Sequence, residues 1–397
     1  MSFSVNGTQL GFVSKSLLFD IYPSLSNVII SPKLWLWGEA FLGDNTTLGK
    51  SSPVQTIAGG TNWKQVSCGN LSTAAIKSDG TLWTWGSNSN GQLGNNTITA
   101  LSKSSPVQTI TGGTNWKQVA SNPSTVADQR VFGIKTDGTL WGWGSNYLGS
   151  LGDNTLTNRS SPVQSITGGT NWKQVATGDY NTAAIKTDGT LWTWGANTKG
   201  EIGDNTITSR SSPVQTITGG TNWKQVSCGS SYMTAIKSDG TLWTWGSNLS
   251  GQLGDNTTAS KSSPVQTIAG GTNWKQVSAG MQFVAAIKTD GTLWTWGDNY
   301  YGTLGNNTNV NSSSPVQTIA GGTNWKQVSA GASVTGAIKT DGTLWVWGDN
   351  YYNGTLGTNN NVNSSSPIQT VAGGTNWKQV SCGSTHVAAI AEDDPFL

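Results

Sequence analysis

Side chains able to do chemistry are scarce in this chain. His386 is the only histidine among 397 residues, which excludes a multi-histidine metal site and leaves a single imidazole that could act as a base. Cys68, Cys228 and Cys382 are odd in number and occupy equivalent points of distant repeats. They read as small buried residues, not as a disulfide framework or a metal site. Glu392, Asp393 and Asp394 form the one acidic cluster and read as a solvated tail. Gly-Asp-Asn-Thr at residues 152–155, 203–206 and 254–257 invites a calcium reading, but Asn95, Asn306 and Thr358 replace the aspartate in other copies. A hard cation needs the carboxylate, whereas an Asx turn takes Asp or Asn equally, so the turn is expected. No catalytic residue, metal or cofactor is expected, and the protein is read as a non-enzyme.

Repetition sets the elements that carry these residues. Leu-Trp-x-Trp-Gly occurs seven times, beginning with Trp35, Trp83, Trp141, Trp192, Trp243, Trp294 and Trp345. Asn-Trp-Lys-Gln-Val also occurs seven times, and the two motifs together hold all 21 tryptophans. Seven copies of one unit make one array, not several domains. With 52 glycines, 11% charged residues and three glutamates, the chain lacks the composition of a helical protein. Its 21 large rings demand burial and exclude disorder. A formal charge of +2 gives no electrostatic case for a nucleic-acid partner. No apolar run approaches the length of a membrane span, and no Sec-type signal is evident at the N-terminus.

Each unit reads as four strands. An Asp-Gly turn (Asp79-Gly80, Asp137-Gly138, Asp188-Gly189, Asp239-Gly240, Asp290-Gly291, Asp341-Gly342) joins an Ala-Ile-Lys run to Leu-Trp-x-Trp-Gly as a hairpin. Period-two geometry sets Trp83 and Trp85 on one face and Leu82 and Thr84 on the other. Trp63-Lys64-Gln65-Val66 supplies a third strand and Ser52-Pro53-Val54-Gln55-Thr56 a fourth, its proline suited to the first residue or outer edge of a strand. The fold class expected is all-β, a seven-bladed propeller of four-stranded blades. The seventh set is split between the termini, so pairing Leu34-Trp35-Leu36-Trp37-Gly38 with residues 387–390 should close the ring and cover its edges. The divisions expected are a non-repeat arm at 1–33, the propeller at 34–391 and an acidic tail at 392–397.

Gly-x-Leu-Gly (residues 91–94 and 251–254), Ser-Pro-Val, Cys-Gly and Asp-Gly-x-Leu-Trp-x-Trp-Gly recur in one order. In these motifs the chain resembles the regulator-of-chromosome-condensation (RCC-type) repeat family over roughly residues 34–391. The resemblance implies a seven-bladed propeller. It also implies that Cys382-Gly383-Ser384-Thr385-His386, the copy nearest the family's Cys-Gly-x-x-His, packs between blades. The family's exchange-factor member acts on a small GTPase through an inserted β-wedge; this sequence has no counterpart, so that activity is not carried over.

Against the near-identical scaffold, two stretches vary. One follows Leu-Trp-x-Trp-Gly and includes Tyr147, Tyr300, Tyr301, Tyr351 and Tyr352; the other precedes the Ala-Ile strand and includes loop 121–130 with Arg130. Variable loops rich in Tyr, Asn and Asp suit a recognition surface for a protein or glycan. Residues 1–30 fit no repeat yet carry Phe3, Phe12, Leu17, Leu18, Phe19 and Ile21, too apolar for a solvated tail. Residues 1–27 are expected to dock the propeller onto a subunit of a larger assembly and to order on binding. The expected function is a binding or structural module of a virus or phage particle (fibre, decoration or receptor-binding protein), assembled in a host cytoplasm. The alternative is a cytoplasmic RCC-type regulator or scaffold acting on a protein partner such as a small GTPase. No nucleic-acid partner and no membrane span are expected.

Overall fold

The computed structural model describes residues 32–392 apart from 58–59, 100–101, 111–112, 124–127, 219 and 352–353, together with 3–5, 8–10 and 395. Seven four-stranded antiparallel sheets form the ring. Blade 1 shows the plan: Trp63–Cys68 innermost, then Ser72–Lys77, Leu82–Gly86 and the outer Lys103–Gln108. Blades 2 to 6 repeat it along the chain. Blade 7 is completed from both ends, by Trp377–Cys382 and His386–Ala391 with Lys33–Gly38 and Lys50–Gln55. Trp35 pairs with Ala389 and Trp37 with Val387, the closure expected from the sequence. Phe3–Val5 and Thr8–Leu10 pair antiparallel as a separate two-stranded sheet. Phe3 of the expected docking arm lies there; Phe12, Leu17, Leu18, Phe19 and Ile21 lie outside the described residues.

Both faces of every blade are buried, which is how so many rings are accommodated. On one side of blade 1, Trp63 and Trp85 pack with Leu34, Leu36 and Ile390 of blade 7. On the other, Ile76 and Leu82 pack with Trp116 and Trp143 of blade 2. Paired rings such as Trp63 and Trp85 meet at 6.2 Å and 59°, a tilted geometry favourable to their quadrupoles. The second tryptophan of six of the seven motifs also reaches the preceding blade: Trp143 Nε1 donates to Gln92 O at 2.9 Å and Trp37 Nε1 to Thr355 O at 2.8 Å. The first tryptophan caps its own hairpin, Trp83 Nε1 donating to Thr81 Oγ1, which donates to Asp79 Oδ1. Gly80 in that turn has φ +80°, and a Cβ there would strike Thr114 O of the neighbouring loop, so glycine is doubly required. Pro106 sits within the outer strand, where the register shifts between Thr84 and Gly86 and no ladder donor is missed.

The innermost strands are joined sideways by glutamine. Gln65 Nε2 donates to Val119 O and Gln65 Oε1 accepts from Val119 N, both at 3.0 Å. The same reciprocal pair recurs from Gln118 to Val175 and from Gln174 to Val226. Gln379 returns it to Val66 of blade 1, also at 3.0 Å. A side-chain amide thus imitates the backbone pattern of a β-ladder where successive blades converge on the axis. This explains why Gln follows Trp-Lys in every copy.

Candidate functional site

Strand direction decides where the two variable stretches go. The innermost strand ends at Cys68 and the second begins at Ser72, so loop 69–71 lies at that end of the blade. The third strand ends at Gly86 opposite Ser72, so the long loop 87–102 leaves from the same end. Both variable stretches therefore converge on one rim of the disc. The Asp-Gly turns and the Gly-Gly-Thr-Asn loops, nearly constant in sequence, form the other. Contacts across blades confirm the convergence: Tyr147 of blade 2 and Tyr180 of blade 3 have ring centroids 5.5 Å apart. Ser250 Oγ of blade 4 donates to Gln282 Oε1 of blade 5 at 3.2 Å.

The long loops are rigid at their base and open at their tip. Asn88 Nδ2 donates to Thr97 O at 3.1 Å while its Oδ1 accepts from Leu93 N at 3.0 Å. Asn146, Asn248 and Asn299 make the same staple. Asp153 Oδ1 accepts from Thr155 N, and Asn95 Oδ1 does the same from Thr97 N, so the Gly-Asp-Asn-Thr segments are Asx turns in which either residue serves. The next asparagine is left-handed, with φ near +60° at Asn96, Asn154 and Asn256. One residue beyond the staple, four of the loops carry a large exposed side chain. Tyr147 is 52% exposed, Leu249 71%, Tyr300 71% and Tyr351 73%. Leu249, Tyr300 and Tyr351 occupy the same place in three successive blades, and Tyr301 packs edge-on against Tyr300 at 4.8 Å. Tyr352 lies outside the described residues.

Arg130 belongs elsewhere, and here the structure corrects the sequence reading. It begins the second strand of blade 2 and is 0% exposed. Its Nε donates to Ser150 Oγ at 2.9 Å, Nη1 to Gly178 O at 2.7 Å and Nη2 to Asp179 O. Burial draws the guanidinium down to about 10, with Asp179 and Asp128 acting against that shift, so it stays cationic near neutrality. The equivalent position in the other blades is Ser72, Asn181, Tyr232, Phe283, Val334 and His386, all buried. Each pairs with the glycine that ends the third strand, as Tyr232 does with Gly246. Several bolt onto the following blade: Tyr232 Oη donates to Gly280 O at 3.0 Å, and His386 Nε2 lies 2.9 Å from Thr73 Oγ1. Half of the second variable stretch is thus an inter-blade joint, not a surface.

His386 is accordingly a packing residue. Burial lowers its pKa to about 4, with a backbone contact at Asn70 opposing. The three cysteines are free and line the axial channel, a cavity of about 170 Å³. Burial pushes the thiols of Cys68 and Cys228 up to about 12, which keeps them protonated and unreactive. Among the described residues, no group of three His, Cys, Asp or Glu side chains is placed to hold a metal. No helix among them is long and apolar enough to cross a membrane. Glu392 of the acidic tail pairs with Lys378 at 3.1 Å.

Comparison with known proteins agrees with this architecture. The chain matches the RCC1-like domain over residues 33–324 and regulator of chromosome condensation (RCC1) repeats over 325–353 and 341–390. It is 30% identical over 341 residues to the ultraviolet-B receptor UVR8 of Arabidopsis thaliana, covering 83% of this chain and 76% of that protein. Prp20p of Saccharomyces cerevisiae superposes with a TM-score of 0.79 at 18% identity, over 91% of this chain and 92% of that one. Human WBSCR16 superposes with a TM-score of 0.77 at 21% identity, over 91% and 99%. The last two likenesses speak for the fold alone. Nothing in these likenesses supports the expected virus or phage component, its virion location or a glycan ligand; the likeness to UVR8 accords better with the alternative, a cellular RCC-type protein. Repeat signature, blade count and matched domain converge, and the chain belongs to the RCC1-like propeller family.

Proposed function

We propose that this propeller is a non-catalytic module that recognises a protein partner, in the manner of an RCC-type regulator or scaffold, and that the variable rim is its contact surface. The observation that carries the reading is the row of Leu249, Tyr300 and Tyr351, three large exposed side chains at one loop position of successive blades. Apolar and aromatic tips on stapled loops lose little entropy on binding and supply buried area, the properties of interface anchors. One neighbour in fold accords with a protein ligand: Prp20p is described with binding to Gsp1p and histones. A cytoplasmic setting accords with a cellular RCC-type protein.

The test replaces Leu249, Tyr300 and Tyr351 together by Ser and compares partners captured by in-cell crosslinking with those of the parent chain. The variant should melt as the parent does and lose a defined subset of partners. An unchanged partner set would end the assignment to this rim.

A further inference from the structure

The opposite rim carries an unusual distribution of charge. Every innermost strand has Lys at its second position: Lys64, Lys117, Lys173, Lys224, Lys275, Lys326 and Lys378. All seven are exposed. Neighbouring innermost strands approach within 8 Å all round the ring, so these seven lysines are set round one mouth of the axial channel. Lys64 and Lys378 border a cavity of about 470 Å³ there, together with Gln65, Gln327 and Gln379 of three adjoining blades.

A second set of lysines on this rim behaves differently. Lys77, Lys135, Lys186, Lys237, Lys288 and Lys339 end the second strands, and each ammonium is sandwiched between two tryptophan rings. Lys237 Nζ, for example, lies 4.9 Å from the Trp223 ring and 4.4 Å from the Trp243 ring. Their charge is engaged by ring faces. The inner seven lack such cover, and among the described residues Lys378 alone of them has an ion-pair partner. Six aspartates of the Asp-Gly turns share this rim, but each carboxylate is turned onto its own hairpin, as Asp79 is onto Thr81 N and Oγ1. Seven exposed like charges spaced round one mouth repel one another and set up a positive field there. Folding gains nothing from that crowding, since an exposed neutral side chain would serve the strand as well.

The anion already present shows what fits. Glu392 leaves the second strand of blade 7 at this rim and sets its carboxylate 3.1 Å from Lys378 Nζ at the edge of the cavity. We propose that the lysine-ringed mouth is a docking site for a carboxylate-rich, extended segment of a partner protein, and that Glu392 occupies one of its seven cationic positions. The site faces away from the variable rim, so one partner can be held at each side of the disc.

The probe is a fluorescently labelled deca-glutamate peptide, read by anisotropy over a range of salt. The parent chain should bind it, with affinity falling as salt rises. Lys173→Gln, Lys224→Gln and Lys275→Gln combined should weaken binding about 10-fold or more and flatten the salt dependence. Lys50→Gln, Lys103→Gln and Lys199→Gln, on the other rim, should change it by less than about 2-fold. Glu392→Gln should tighten binding, because it frees Lys378. Exposed lysines leave the fold intact when replaced, and matching melting curves would document that. The proposal is overturned if the two triple variants lose binding equally, if the peptide does not bind at low salt, or if inorganic polyphosphate binds the mouth where deca-glutamate does not.

Discussion

Two variable positions of the repeat do opposite things. The first residue of the second strand is Ser72, Arg130, Asn181, Tyr232, Phe283, Val334 or His386, different in every blade and buried in all. The loop position after the asparagine staple is Ser89, Tyr147, Thr198, Leu249, Tyr300 or Tyr351, and its large members stand in solvent. Variation at the first is a set of seven private solutions to joining one blade to the next. Variation at the second meets a far weaker packing demand, limited to ring contacts such as Tyr147 on Tyr180 and Tyr300 on Tyr301. Sequence variability on a fixed scaffold therefore marks a recognition surface only after burial has been subtracted.

The joint and the tip should separate cleanly under mutation. The most severe lesion removes a joint wholesale: ending the chain after Val380 deletes the strand that pairs with Trp35 and Trp37. It should cost at least about 5 kcal/mol, on the scale of a domain's whole stability, and abolish the cooperative transition in denaturant. Deletion within loop 87–102 should leave that transition in place. Tyr232→Ala should cost about 3–5 kcal/mol by chemical denaturation, since it opens a cavity and orphans the carbonyl of Gly280. Arg130→Ala should cost about 3 kcal/mol, and Arg130→Lys should restore little, because a point charge cannot span the carbonyls of Gly178 and Asp179 as the fork does.

His386 offers the same contrast through pH. Held near 4 by burial against an ordinary 6.5, the folded state keeps the ring neutral while the unfolded chain takes up a proton below about 6.5. The stability tied to this residue is complete above pH 6.5 and is lost as the pH falls from 6.5 towards 4. His386→Gln should flatten that limb of the stability–pH curve by up to about 3 kcal/mol, and at pH 7 should cost about 1–2 kcal/mol for the lost contact with Thr73. The smallest effect belongs to the tips. Tyr300→Ser with Tyr351→Ser should shift stability by less than about 0.5 kcal/mol, with partner capture as the readout that changes. A stability loss at the tips equal to that at Tyr232 would erase the distinction.

Much of this fold is legible in the sequence because the repeat is redundant. Seven Leu-Trp-x-Trp-Gly segments and six Asp-Gly turns give the blade count, and the split seventh set gives the closure through Trp35 and Trp37. The Gln belt is not legible: Gln65 reads as one polar residue in a strand, and its reach to Val119 appears only when two blades lie side by side. Arg130 is misplaced for a related reason. Period-two alternation says which side of a sheet a residue faces but not where the strand begins, and a charged residue next to a ten-residue loop looks like part of it. Tyr147, Tyr300 and Tyr351 are found correctly as exposed loop residues because they follow the fixed Trp-Gly end of a strand by a constant interval.

The Lys33 and Ala391 backbones are partners in one ladder, so the two ends of the propeller proper meet inside a single blade. A circle built this way is indifferent to where its chain is cut. Bridging residues 391 and 33 with a Ser-Asp-Gly turn like that of blade 1, and opening another Asp-Gly turn, would produce a permuted chain with the same seven blades, the same amide belt and both rims intact. The termini can then be moved to either rim by shifting the point of interruption.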